Sequence, residues 1–115
     1  MIRDRLFLLQ PGFEDPAYPG QTFYCWHCAL IEGVLVSFPD LAQNLDVARI
    51  AWPRPRRDII SLVGEEHQSL PLLVFGDGDP PQHPTNMHEG RFFISDKDEI
   101  LAALTQRHGF PLPHP

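Results

Sequence analysis

Proline sets the limits on what this chain can fold into. Thirteen of its 115 residues are proline, against an average near 5 %. The pyrrolidine ring locks φ and removes a backbone donor, so proline is kept out of helix interiors and central strands. The prolines fall at 11–19, at 39, at 53–55 with 71, and at 80–84 with the tail 111–115. Regular structure is therefore expected between those points. The length and the 43 % hydrophobic content suit one domain, residues 1–115, with its own core.

Between the prolines the periodicities are readable. Leu6-Phe7-Leu8-Leu9 is a continuous apolar run, as in a strand covered on both faces. Residues 11–24 form a long loop, either a flap beside the cysteines that follow or a surface insertion. From Cys25 the spacing of Leu30, Ile31, Val34, Leu35 and Phe38 is helical, and Pro39-Asp40 ends it. Residues 47–52 read as a strand and 58–63 as a short helix closed by Gly64. Residues 70–75 read as a strongly apolar strand. A second loose stretch, 76–90, precedes the strand Arg91-Phe92-Phe93-Ile94. Ser95 with Asp98 resembles a capping box, predicting a last helix with Ile100, Leu101 and Leu104 on one face and Gly109 at its end. Residues 110–115 read as an extended arm. The order is β-α-β-α-β-β-α: an α/β domain with a mixed four-stranded sheet flanked by helices, the first two strands parallel and the last two antiparallel.

Cys25-Trp26-His27-Cys28 holds the only two cysteines, at the start of the first predicted helix. A helix N-terminus and a nearby imidazole both favour thiolate, the reactive form. A disulfide across so short a gap would stabilise little, so the pair reads as redox or metal chemistry. The metal alternative joins Cys25 and Cys28 to His83 and His88, but without the paired close spacing usual in structural zinc sites. No metal ligand set is therefore assigned. Net charge is −6, which disfavours nucleic acid as a partner. Arg54, Arg56 and Arg57 are enough only for a carboxylate or a small anion. No apolar run spans a membrane and no leader pattern opens the chain, so a cytoplasmic location is expected. Phosphate loops, serine elbows and paired-carboxylate motifs are not found in the sequence.

The strand order, the C-x-x-C opening the first helix, Leu70-Pro71 opening the third strand and the run 64–75 leading into it together resemble the thioredoxin-fold superfamily, thioredoxins and glutaredoxins included. The resemblance covers roughly residues 5–109 and extends to an uncharacterised family of small bacterial thioredoxin-like proteins. It implies a thiol–disulfide oxidoreductase in which Cys25 attacks and Cys28 resolves, with Pro71 in the cis form beside them. It implies that His27, as in protein disulfide isomerases, raises the reduction potential above the roughly −270 mV of a thioredoxin. It also offers glutathione as a co-substrate, with Leu70 pairing its backbone, Ser95 and Asp96 at its γ-glutamyl end, and Arg57 or a neighbouring arginine at its glycyl carboxylate. Trp26-His27 replaces the Gly-Pro of thioredoxins and the Pro-Tyr of glutaredoxins. Phe93-Ile94-Ser95 stands where glutaredoxins carry Gly-Gly, and no acid stands out as a buried carboxylate. The partner expected is a protein or small-molecule thiol or disulfide. The alternatives are a binding or redox-sensor module without turnover and the zinc site above.

Overall fold

The computed structural model of the chain describes residues 2–77 and 85–115. Among them the elements run β1 (Arg5–Leu9), α1 (Trp26–Ser37), α2 (Pro39–Ala42), β2 (Asp46–Ile50), α3 (Arg57–Val63), β3 (Leu72–Val74), β4 (Asn86–His88), β5 (Arg91–Ile94) and α4 (Lys97–His108). The strands form one mixed sheet ordered β2-β1-β3-β5-β4. β1 is parallel to β2, in register from Arg5 opposite Asp46 to Leu9 opposite Ile50. The pairings of β1 with β3, β3 with β5 and β5 with β4 are antiparallel.

Alternation along the central strands builds two apolar layers, because successive side chains leave a strand on opposite faces. Leu6 and Leu8 of β1, Leu73 of β3 and Ile94 of β5 pack with Cys28, Ile31 and Leu35 of α1 and with Ile100, Ala103 and Leu104 of α4. The intervening Phe7, Leu72, Val74 and Phe93 pack with Ile59 and Val63 of α3. Helices α1 and α4 therefore cover one face and α3 the other. That is why β1 is apolar from Leu6 to Leu9 and carries no alternation there.

The sequence expectation of four strands is corrected by a fifth. Asn86-Met87-His88 pairs with β5 as an edge strand inside the stretch read as a loop. Glu89 (φ 50) and Gly90 (φ 81) make the two-residue turn between them. Positive φ at both central positions matches the twist of the flanking strands. Pro39 does not end helical structure outright: it opens the short α2 after Phe38 caps α1 through a bond to the Val34 carbonyl. The cap of α4 is Asp96, whose carboxylate accepts from Glu99 N at 3.0 Å, and not Ser95. The tail is free only beyond Phe110, which is buried and edge-on to Phe38 at 6.3 Å. The Leu70–Pro71 and Arg54–Pro55 peptides are both cis.

Asp4, just before β1, is a buried carboxylate that no local pattern announced. Its Oδ1 accepts from Gly76 N at 2.7 Å and Arg107 Nη2 at 2.8 Å. Its Oδ2 accepts from Arg107 Nε at 2.7 Å and sits 2.7 Å from His108 Nε2. The start of the sheet, the end of β3 and the end of α4 are thus fastened to one side chain. Burial opposes ionisation of Asp4, but the bonds from His108, Arg107 and Gly76 outweigh it and hold the carboxyl well below the usual range. Gly76 is obligatory here, since a Cβ would lie 2.3 Å from the Ile2 carbonyl oxygen.

Candidate functional site

The opposite end of β1 carries the cysteines. Cys25 is the N-cap of α1, with extended backbone (φ −80, ψ 114), and its Sγ accepts the Cys28 N–H at 3.1 Å. A helix start leaves its first N–H groups without intrahelical partners, and this sulfur takes one of them. The contact suits a sulfur carrying negative charge. One turn on, Cys28 is buried, and its Sγ accepts from Leu9 N at 3.5 Å. Burial, then the hydrogen bond and the charge of Cys25, push the Cys28 thiol up to about 12. No disulfide joins the two cysteines in this structure. The pair is asymmetric: a half-exposed sulfur at the helix start and a protonated one beneath it.

His27 lies against the Trp26 ring, centroids 3.8 Å apart. Trp26 is 66 % exposed, and the Lys97 ammonium stands 6.0 Å from its ring. Trp26 therefore joins the cysteine turn to the start of α4, where Ser95 and Asp96 are exposed. Leu70 is half-buried against both apolar layers. Extending the β1–β3 register by one residue puts Pro71 opposite Leu8, next to the Leu9 amide that reaches Cys28.

The three arginines separate. Arg57 is exposed on α3 and lines a depression with Arg49, Pro55 and Asp58. Arg56 is buried, its guanidinium donating from Nε (3.1 Å) and Nη2 (2.6 Å) to the Trp52 carbonyl and from Nη1 (2.6 Å) to the Gln68 carbonyl. Burial lowers its pKa and Arg54 adds to that, while charge on Cys28 or Cys25 acts the other way. A thiolate and this cation thus favour one another across the interior. The sequence pointed to a basic cluster here, but only Arg56 of the three is buried, its guanidinium committed to the Trp52 and Gln68 carbonyls.

Residues 11–24 are an ordered flap. Phe13 and Phe23 exchange backbone hydrogen bonds, Phe13 stacks on Trp52 at 5.7 Å, and Tyr18 meets Phe23 edge-on at 5.8 Å. Between this flap and α1 opens a cavity of about 620 Å³ that both cysteines line, with Leu9, Phe23, Tyr24, Ala29, Glu32 and Val36. Leu70, Ser95, Asp96 and Arg57 do not line it. Among the described residues, the approach to the thiols is therefore the cavity.

Among the described residues no three His, Cys, Asp or Glu side chains converge on one point. His88 lies against Gly64 at the end of α3, and His83 falls outside the described residues. No helix among them is long and apolar enough to cross a membrane.

Fold and site together define a small mixed α/β domain that presents a C-x-x-C dithiol at the head of a helix. Residues 3–112 match the family described as protein of unknown function (DUF3088), and the chain belongs to that family. Neither curated proteins nor solved structures gave a match to it.

Proposed function

We propose that this protein is a thiol–disulfide oxidoreductase with a thioredoxin-like fold, Cys25 attacking and Cys28 resolving. The asymmetry of the two sulfurs carries the reading: one half-exposed and bonded to a helix-start N–H at 3.1 Å, the other buried with its thiol pushed up to about 12. The fold supports it, since β1-α1-β2-α3-β3-β5-α4 follows the expected order once α2 and β4 are set aside as additions.

In this reading the Cys25 thiolate attacks a substrate disulfide, one substrate thiolate leaves, and a mixed disulfide forms. Charge on Cys25 is one of the influences that keep Cys28 protonated. Once Cys25 is in a neutral mixed disulfide that influence disappears, so Cys28 ionises more readily at the step that needs its thiolate. Arg56 then offers a buried cation to whichever sulfur is charged. A thiol co-substrate of the glutathione class approaches past Trp26, towards Leu70, Ser95 and Asp96, and restores the dithiol.

The test is disulfide reduction coupled to a thiol reductant. Cys25→Ser is expected to abolish turnover, and Cys28→Ser to accumulate mixed disulfides visible by intact mass. Equal rates for the wild type and both variants would refute the proposal and leave a binding or sensor module.

A further inference from the structure

The cavity between residues 11–24 and α1 is not required for thiol exchange as such. Exchange needs only an accessible sulfur, not an enclosing pocket. A cavity of about 620 Å³ lies within the range that encloses most of a small ligand. Its walls are predominantly apolar, with Leu9, Phe23, Ala29 and Val36 contributing. Among the described residues, apart from the thiols and the Tyr24 phenol, the one ionisable lining group is Glu32, and that carboxylate is already held by Arg49 through Nε at 3.0 Å and through Nη2. No cation among the described residues lines it. An anionic substrate lodged here would give up its hydration with no cation in the described lining to receive it, since Arg49 is already engaged by Glu32, whereas an apolar group gains by burial.

We propose that this cavity binds small, uncharged, apolar disulfides, and that residues 11–24 set the preference; the proposal rests on the oxidoreductase reading above. The Cys25 thiolate attacks one sulfur of R–S–S–R, the S–S bond breaks, Cys25–S–S–R forms, and RS⁻ leaves to be protonated by solvent. Cys28, having released its proton to solvent, attacks Cys25 Sγ and expels the second RS⁻. The two electrons come from the dithiol, which becomes the Cys25–Cys28 disulfide. Two equivalents of a low-molecular-weight thiol restore it and are themselves oxidised to a disulfide. Phe23 and Tyr24, adjacent to Cys25 in sequence, act as specificity residues by holding the R group beside the attacked sulfur.

The experiment compares the pre-reduced full chain against two aromatic disulfides, uncharged dithiodipyridine and dianionic dithiobis(nitrobenzoate), each rate divided by that of mercaptoethanol with the same reagent. The uncharged reagent is expected to be favoured roughly tenfold or more, the scale on which an apolar pocket discriminates. Ala29→Phe, which fills the cavity from an exposed helix position, is expected to remove most of that preference, with the thermal midpoint reporting that the variant folds. Equal normalised rates, a preference for the dianion, or an undiminished preference in folded Ala29→Phe overturns the cavity proposal while leaving the oxidoreductase reading standing. Rates no higher than those of Cys25→Ser with both reagents overturn both.

Discussion

The two ends of β1 handle buried polar chemistry in opposite ways. At Asp4 every contact is short and charge-assisted: both carboxylate oxygens are engaged, at 2.7–2.8 Å, by Gly76 just after β3 and by the end of α4. At Leu9 the strand gives a single N–H to Cys28 Sγ at 3.5 Å, and the neighbouring Cys25 takes one helix-start N–H at 3.1 Å. The first end is saturated and closed by the ring of Phe75, over which the Arg107 guanidinium lies at 4.7 Å. The second is under-engaged and opens into a cavity. The charge-assisted bonds are concentrated at the closed end, and the open end has only two weaker bonds to sulfur.

The strongest test of that contrast is Asp4→Asn. It removes the carboxylate facing Arg107 and His108 in a buried setting, and breaking such a pair by removing one partner typically costs about 3–5 kcal/mol. Denaturant unfolding is the measurement. A loss below about 1 kcal/mol would mean that the clamp is no stronger than a surface ion pair and that the two ends do not differ.

Acid and alkali should separate the two ends next. Asp4 is depressed in the folded protein, so its contribution is fully present above 3.8, the ordinary aspartate value, and is lost as pH falls below it. Cys28 is raised in the folded protein, so between 9.0 and about 12 the folded state keeps a proton that the unfolded chain has released. Stability therefore falls as pH rises through that window. Unfolding under reducing conditions should show an acid limb that Asp4→Asn flattens and an alkaline limb that Cys28→Ser flattens. An alkaline limb unchanged in Cys28→Ser would show that the buried thiol is not its source.

What the sequence made legible follows the same division. Elements held by repeated apolar spacing, such as β1, α3 and α4, were readable because burial imposes a period on many residues at once. β4 was not: Asn86-Met87-His88 is a short, exposed edge strand that owes its place to the backbone of β5 and a Glu-Gly turn. Asp4 was not, because its partners lie more than a hundred residues away on α4, and one buried charge makes no pattern. Of the site, Cys25 and Cys28 were visible from their spacing. The cavity was hidden, because its lining brings together the end of β1, residues 11–24 and one face of α1, which no local pattern links. Ser95 and Asp96 are both good N-cap types, and one residue of register, invisible in the sequence, gives the place to Asp96.

The smallest expected effect concerns that aromatic contact. The Phe13–Trp52 stack, at 5.7 Å with the rings 10° apart, joins residues 11–24 to the segment after β2. Stacked pairs contribute about 0.5–1.5 kcal/mol beyond their area, so Phe13→Leu, which keeps most of the apolar bulk, should cost no more than about that in unfolding free energy. Its effect on the site should be the more visible one. Phe23, hydrogen-bonded to Phe13 through the backbone, lines the cavity two residues before Cys25. Loosening the flap opens that wall, and alkylation of Cys25 by iodoacetamide should become faster while Cys28, on the buried face of α1, stays protected. A variant that alkylates at the wild-type rate would show that the flap is held by its backbone bridge alone. In that case the cavity is a rigid part of the fold, as firmly set as the clamp at the other end of β1.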